Sequence, residues 1–300
     1  MNSKLSDGAR ELGFPLSGEE LRLFELYLSE LLKWNAKVNL TAITEPDEII
    51  IKHFLDSLAL LRILPYFSPS PGLWPPSPTG WEGKALSLSL RWERGGGEGE
   101  QKCRRNGEYS FSQAIRLRFA ACDIGSGAGF PGLALKIVLP ETDITLVEPA
   151  RKKAAFLRHV IRTLGLSGAK VLEAAVGAAP GRTIRAAPPP SSFDVVFSRA
   201  FRGLPELLAA AGPLLTDGGY VAQSLSISQS TGAGPADRPR TIASSFSGWA
   251  VEREEVITLP FSDINRRLIL LKKHAGENLP SLTAAWLDCS TWNNPPPDNP

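Results

Sequence analysis

Three glycines fall within seven residues, Asp123-Ile124-Gly125-Ser126-Gly127-Ala128-Gly129, where a short apolar stretch gives way to a helical pattern. Each glycine removes a side chain at a strand-to-helix turn, so a ligand can approach the backbone closely. A dinucleotide fingerprint would need glycine at position 130, where this chain has Phe130, which disfavours a pyrophosphate. Asp123 puts a carboxylate beside the glycines; an anion there repels phosphate and suits a ligand with a cationic amino-acid moiety and a sulfonium. Glu148 follows the apolar segment Ile144 to Val147, about 20 residues further on, where an acidic side chain can accept both hydroxyls of a ribose. The bland alternatives are a structural glycine turn and a solvated Glu148 that caps the helix beginning at Arg151.

Other polar residues carry weaker signals. Arg199 follows the apolar run Asp194 to Ser198 at the sheet edge where ligands of open α/β folds gather, and can hold a carboxylate, a phosphate or the face of a base. Arg151, Lys152, Lys153, Arg158 and Arg162 crowd one helix; such a run is either a solvated face opposite Phe156, Leu157, Val160 and Ile161 or a phosphate contact. His53 and Asp56, at i and i+3, can share a hydrogen bond. Three histidines and three scattered cysteines (Cys103, Cys122, Cys289) assemble neither a metal site nor a disulfide framework, which fits a reducing cytoplasm. No serine-nucleophile elbow or phosphate-binding P-loop is present.

These residues need elements to position them. Ser17-Gly18-Glu19-Glu20 is a capping box, and Leu21, Phe24, Leu28, Leu31 and Leu32 recur behind it at helical spacing to about Trp34. Thr44 and Pro46 start a second helix, with an Ile50, Phe54, Leu58 and Leu61 stripe ending near Pro65. From Phe119 the pattern alternates: strands at 119–124, 144–147, 170–174, 194–198 and 220–224, with helices at 131–138, 151–164 and 204–215 between them. Two late strands at 249–259 and 266–272 make a hairpin. Alternation of this kind implies right-handed crossovers and a mostly parallel sheet, and the terminal hairpin points to a methyltransferase-type topology.

The chain divides into a helical lobe (1–65), a low-complexity insertion (66–118) expected to be disordered, a sheet domain (119–274) and a disordered tail (275–300). Lys plus Arg number 33 against 31 Asp plus Glu, too balanced to argue nucleic-acid binding from bulk charge. Neither a signal peptide nor a membrane-spanning run is apparent, so a soluble cytoplasmic protein, monomeric and without membrane contact, is expected.

Several groups are more specific than the glycines: Leu32-Lys33-Trp34-Asn35 with Asn39-Leu40-Thr41, Lys52-His53-Phe54-Leu55-Asp56-Ser57, and Gly129-Phe130-Pro131-Gly132. Lys153 with Phe156-Leu157 and Ser198-Arg199-Ala200-Phe201 follow in order. On these residues the chain resembles the bacterial small-subunit rRNA guanine-N7 methyltransferases, the glucose-inhibited division protein B family. The resemblance implies an α/β fold, a seven-stranded Rossmann-like class I methyltransferase sheet with an N-terminal helical lobe. It implies S-adenosylmethionine as donor and 16S rRNA, in the 530-loop region, as substrate. It places cofactor contacts on Gly125, Phe130, the Val176-Gly177 pair and Arg199, to be added to Asp123, Gly127, Gly129 and Glu148. Arg199 and the lobe around Lys52 and His53 are expected to face RNA. The chain departs from the family at Gly177, usually acidic, and at Gln223-Ser224, usually Lys-Gly. Guanine N7 carries a lone pair and no proton, so no general base is expected. The rival readings are a methyltransferase acting on another substrate and a catalytically impaired RNA-binding homologue.

Overall fold

The computed structural model describes residues 2–64, 118–176, 190–199, 203–227 and 246–274. The expected insertion at 66–118, apart from Arg118, the expected tail at 275–300, and Gly177 lie outside the described residues.

The chain begins with α1 (Asn2–Glu11), a helix not among the elements expected above. Leu5 and Ala9, one turn apart, are buried, and Gly8 lets the helix come close, since a Cβ there would lie 2.5 Å from Leu55. The capping box of α2 (Gly18–Val38) forms as expected: the Ser17 amide donates to Glu20 at 2.6 Å and the Glu20 amide to Ser17 Oγ at 3.2 Å. The helix runs one turn past Trp34 and is closed by Asn39 in the left-handed region (φ 51).

The second expected helix is one rod of changing pitch: α3 (Pro46–Ile49), a π-helical turn (Ile50–Leu55), α4 (Asp56–Ala59) and a 3₁₀ turn (Leu60–Arg62). Its expected stripe of Ile50, Phe54, Leu58 and Leu61 is buried, and so is the carboxylate of Asp56 beside it.

The sheet comprises β1 (Ala120–Ile124), β2 (Asp143–Val147), β3 (Ala169–Leu172), β4 (Phe193–Ser198), β5 (Leu215–Ser226), β6 (Trp249–Thr258) and β7 (Asn265–Lys273). Strand order is β3-β2-β1-β4-β5-β7-β6. The first five strands are parallel, and β7 lies antiparallel between β5 and β6. This is the seven-stranded arrangement expected of a class I methyltransferase. The chain order reverses between β1 and β4, so the switch point falls at the carboxyl end of β1, where the glycine turn sits.

Three helices complete the described fold: α5 (Gly132–Val138), α6 (Arg151–Leu164) and α7 (Leu204–Ala211). One boundary differs by more than a turn's fraying. The helix expected at 204–215 ends at Ala211, and β5, expected from residue 220, begins at Leu215. The pairing with β4 shifts register between Phe193 and Val195, and Gly218 (φ 74) absorbs the irregularity, so the glycine pair kinks a strand instead of terminating a helix.

Alternate residues of the strands feed two cores. Ala121, Phe197, Ala222 and Leu270 pack with the helical lobe, α5 and α6; Cys122, Val196, Val221 and Ile269 pack with α7 on the other face. The lobe and the sheet therefore share one core. Tyr27 of α2 reaches into it, stacks on Phe130 at 5.4 Å and donates to the carbonyl of Ala128 at 2.6 Å. Tyr27→Phe keeps the stacking and leaves that carbonyl without its donor. Stability should fall by about 1 kcal/mol, read as the free energy of urea unfolding; an unchanged value would show that the hydroxyl contributes nothing to the seam.

Candidate active site

The turn after β1 is held by its own backbone. Gly125 and Ser126 amides donate to the Val147 carbonyl at 2.9 and 3.1 Å, and Gly129 and Phe130 amides to the Ser126 carbonyl at 2.7 and 3.1 Å. Gly125, Gly127 and Gly129 all take positive φ (74, 58 and 99), the region where only glycine is unstrained. They nevertheless do different work. A Cβ at Gly125 would meet nothing within 4 Å, and one at Gly127 only the Gly125 carbonyl at 3.8 Å, so these two present bare backbone to open space. A Cβ at Gly129 would lie 2.4 Å from the Tyr27 hydroxyl, and one at Gly132 2.4 Å from Leu146 and 2.6 Å from Asp123. Gly129 and Gly132 are thus closed against the core, and the open cradle is Gly125 to Gly127.

Asp123 lies beneath the turn and not beside it. Its Oδ2 accepts the Gly132 amide at 3.0 Å, which fixes the start of α5, while the buried Oδ1 has no partner. Burial pushes its pKa up to about 7, against the pull of the Gly132 amide. Glu148 is buried at the end of β2 and closes the turn from the other side: Oε2 accepts the Gly127 amide and Oε1 the Ala150 amide, each at 2.8 Å. Each oxygen keeps a second lone pair for a hydroxyl. Val176 borders this edge, packed against the α7 core.

Arg199, from the end of β4, turns away from the glycine turn and into the lobe. Nη1 donates to the His53 carbonyl at 3.1 Å and Ser57 Oγ at 3.3 Å; Nη2 donates to the Lys52 carbonyl at 3.1 Å and His53 Nδ1 at 3.0 Å. Nε faces Asp56 Oδ2 at 3.7 Å. The π-helical turn supplies these two adjacent carbonyls, and that of His53 also accepts from Ser57 Oγ at 2.6 Å.

An arginine only donates, so His53 Nδ1 must be the acceptor and Nε2 must carry the proton, which it directs to Thr41 Oγ1 at 2.8 Å. Burial and the Arg199 charge hold the imidazole pKa down at about 4, consistent with this neutral tautomer. The ring then stacks on Phe130 at 4.6 Å and 14°. Asn35 pairs both ways with the Thr41 backbone, Nδ2 to the carbonyl at 3.0 Å and Oδ1 from the amide at 2.9 Å.

Asp56 does not pair with His53. It accepts Ser224 Oγ at 2.9 Å and Arg266 Nε at 3.1 Å, tying the lobe to β5 and β7. Sequence reasoning missed Tyr27, Ser224 and Arg266 as members of this constellation. Tyr27 and Arg266 sit at ordinary amphipathic positions and gave no signal, but a carboxylate inside the Phe54-to-Leu58 apolar stripe was a readable one.

Lys52 keeps its ammonium toward solvent, paired with Glu48 at 2.7 Å. On α6, Arg151, Lys152 and Arg162 are exposed, whereas Arg158 pairs with Glu173 at 3.5 Å. No group of three metal-ligating side chains occurs among the described residues, and no described helix is long and apolar enough to cross a membrane.

The model of the GidB family, described as rRNA small subunit methyltransferase G, matches residues 20–69 and 109–227. A protein named ribosomal RNA small subunit methyltransferase G from Desulfitobacterium hafniense is 37% identical over 212 residues, 70% of this chain and 65% of that protein. Its namesakes in Myxococcus xanthus and Geobacillus kaustophilus are 33% and 31% identical, covering 90% and 88% of this chain and 96% and 87% of theirs.

Two outcomes follow from the electrostatics. Asp56→Asn leaves the Arg199 and Arg266 guanidinium groups without their shared carboxylate and should cost about 3 kcal/mol or more in urea unfolding, the usual cost of breaking a buried pair from one side. Asp123 has a folded pKa near 7 against 3.8 for a free side chain, so its contribution is fully present below about pH 4 and is lost as pH rises through 7. In Asp123→Asn that slope should vanish: relative to the parent, the variant gains stability between about pH 5 and about pH 8 in thermal melts. Parallel pH profiles would show that Asp123 does not titrate in this window.

Proposed function

The chain belongs to the family described as rRNA small subunit methyltransferase G, and on that premise we propose that it transfers a methyl group from S-adenosylmethionine to N7 of a guanine in 16S rRNA. The observation that carries the reading is the open backbone at Gly125 and Gly127, set between the buried carboxylates of Asp123 and Glu148 at the switch point of the sheet.

The residues present fit such a donor. Gly125 and Gly127 would lie against it, Glu148 would meet the ribose hydroxyls, and Val176 would border the adenine. The partnerless Oδ1 of Asp123 supplies negative charge on the side of the cationic amino-acid moiety. When bound, S-adenosylmethionine supplies an electrophilic methyl on a sulfonium, and guanine N7 takes it with an in-plane lone pair without giving up a proton.

No acid or base is therefore asked of the protein, and its task is alignment. Phe130 is clamped between Tyr27 and His53, so the floor beside the cradle is rigid. Arg199, whose guanidinium carbon lies 5.7 Å from the centre of the Phe130 ring, acts through these contacts as a positioning residue behind the rim. Lys52 and the exposed cations of α6 are left to meet RNA phosphates, an affinity that weakens with salt. The acceptor base would be exposed or flipped from its stack to reach the rim.

Calorimetric titration of the purified chain with S-adenosylmethionine tests the donor, and borohydride/aniline cleavage of 16S rRNA from a gene-deleted strain tests the acceptor. Saturable binding and loss of the 7-methylguanine cleavage band are expected. Gly125→Asp meets no atom within 4 Å at its Cβ and carries the strain of a positive φ (74) that aspartate tolerates better than most residues; it should melt lower than the parent yet fold, and should weaken binding about 100-fold or more by filling the cradle. A folded parent that binds no donor would leave the RNA-binding rival in place.

A further inference from the structure

The connection between β6 and β7 stands at the same edge of the sheet as the cradle. β7 is antiparallel to β5 and begins where β5 ends: Arg266 is level with Ser226, and Asn265 before it pairs with Thr258, the last residue of β6. Asp123 is level with Phe197, and Phe197 with Ala222. Ser226 lies four residues beyond Ala222, so the tip at 259–264 projects about 13 Å past the level of Asp123. The three strand spacings from β1 to β7 put it about 15 Å to the side of β1. The tip is a raised wall beside the cradle.

Its backbone is unusual. The Ser262 amide donates to the Leu259 carbonyl at 3.2 Å, Pro260 comes second in the turn, and Phe261 comes third with a φ of 59. That is the pattern of a type II turn, whose third residue is ordinarily glycine or asparagine. A phenylalanine in the left-handed region is strained, and such strain persists only where the surroundings impose it. Here they do: Leu259 and Pro260 are buried, and the Leu259 amide donates to the Ile264 carbonyl at 2.8 Å. Ser262 Oγ donates to the Leu259 carbonyl at 2.9 Å and accepts the Ile264 amide at 3.2 Å. Burial does not repay the strain, because Phe261 stays 52% exposed. One edge of its ring borders α1 on the lobe side, where a Cβ at Gly8 would lie 3.1 Å from Cε2.

The surroundings indicate what such a ring meets. Val256 is the other large apolar side chain left exposed among the described residues. It is level with Arg267, between the lobe-facing Arg266 and Leu268, and so turns to the α7 face. The lobe side of the tip therefore offers a single ring, far less than the roughly 800 Å² per partner of a stable protein interface. One ring matches one base, and unpaired RNA bases are held largely by stacking on aromatic faces. We infer that Phe261 binds substrate by stacking on an unpaired base a few nucleotides from the methylated guanine. The rigid turn holds the ring outward beforehand, so little side-chain freedom is lost on binding. The inference rests on the rRNA reading proposed above.

The test compares the full-length parent with Phe261→Leu and Phe261→Trp, using small ribosomal subunits that lack the modification as acceptor. Melting temperature, donor affinity by calorimetry, kcat and KM are read. Phe261→Leu keeps apolar bulk against Gly8 and loses the aromatic face. It should melt and bind donor as the parent does, and lose about tenfold or more in kcat/KM, chiefly through KM. Phe261→Trp should hold the parental KM. A photoreactive phenylalanine analogue placed at position 261 should crosslink to 16S rRNA. Three results overturn the inference: a parental KM in the leucine variant, a tryptophan variant as impaired as leucine, or capture of a ribosomal protein in place of RNA. A leucine variant that melts lower and binds donor more weakly would assign the ring to the lobe contact and overturn it too. A parent that modifies no small-subunit RNA removes the rRNA reading and this inference with it, whereas an active parent with an unaffected leucine variant sinks this inference alone.

Discussion

The ion cluster of Asp56, Arg199 and Arg266 holds the lobe to the sheet, and the geometry of the cradle depends on it. Two guanidinium groups share one carboxylate that is almost wholly buried. Removing such charges from water is expensive, and a pair of this kind seldom stabilises a fold beyond what apolar residues would. What the cluster supplies is register. Arg199 has a fixed fork of donors, and it finds acceptors only where the π-helical turn exposes the Lys52 and His53 carbonyls side by side. The lobe is thus fixed to the end of β4 at one angular setting, and His53 and Tyr27 arrive at Phe130 together.

Phe130 passes that setting on to the turn. Its ring lies between two rings from the lobe, and its backbone amide closes the glycine turn on Ser126. The cradle is consequently shaped from behind, by aromatic stacking and the Tyr27 hydroxyl, as much as by the glycines themselves. Gly129 and Gly132 belong to this rear wall, where any Cβ would collide with Tyr27, Leu133 or Leu146. Four glycines close in sequence divide evenly between presenting a surface and permitting a close approach.

Much of this was legible in the sequence, for identifiable reasons. α6 spans Arg151 to Leu164 as its periodicity indicates, and β1, β2 and β4 fall on their apolar runs, because buried strands cannot be polar. α1 was not legible, since its buried face is only Leu5, Ala9 and a glycine that serves closeness rather than hydrophobicity. The start of β5 was misread because Asp-Gly-Gly ordinarily ends an element, and only the register shift opposite Phe193 shows that it kinks one. At the site, the residue types were readable and their directions were not. Arg199 was read as facing a ligand and Asp123 as standing beside the glycines; tertiary contacts turn the first into the lobe and bury the second. Periodicity places a side chain on a face, but it does not say which of two buried partners claims it.

Those directions decide how charge is arranged around the cradle. Two groups near the turn shift in opposite senses: His53 is held neutral down to about pH 4, and Asp123 holds its proton up to about 7. Both shifts are driven first by burial, which penalises whichever form is charged. Near neutral pH the His53 ring stacked on Phe130 is uncharged, and Asp123 sits close to its midpoint. A cation brought to the cradle favours the ionised carboxylate, so its binding would be coupled to proton release from beneath the turn. The nearby cations Arg199 and Arg266 are turned onto Asp56, which leaves the carboxylates of Asp123 and Glu148 as the acidic groups bonded to the turn itself.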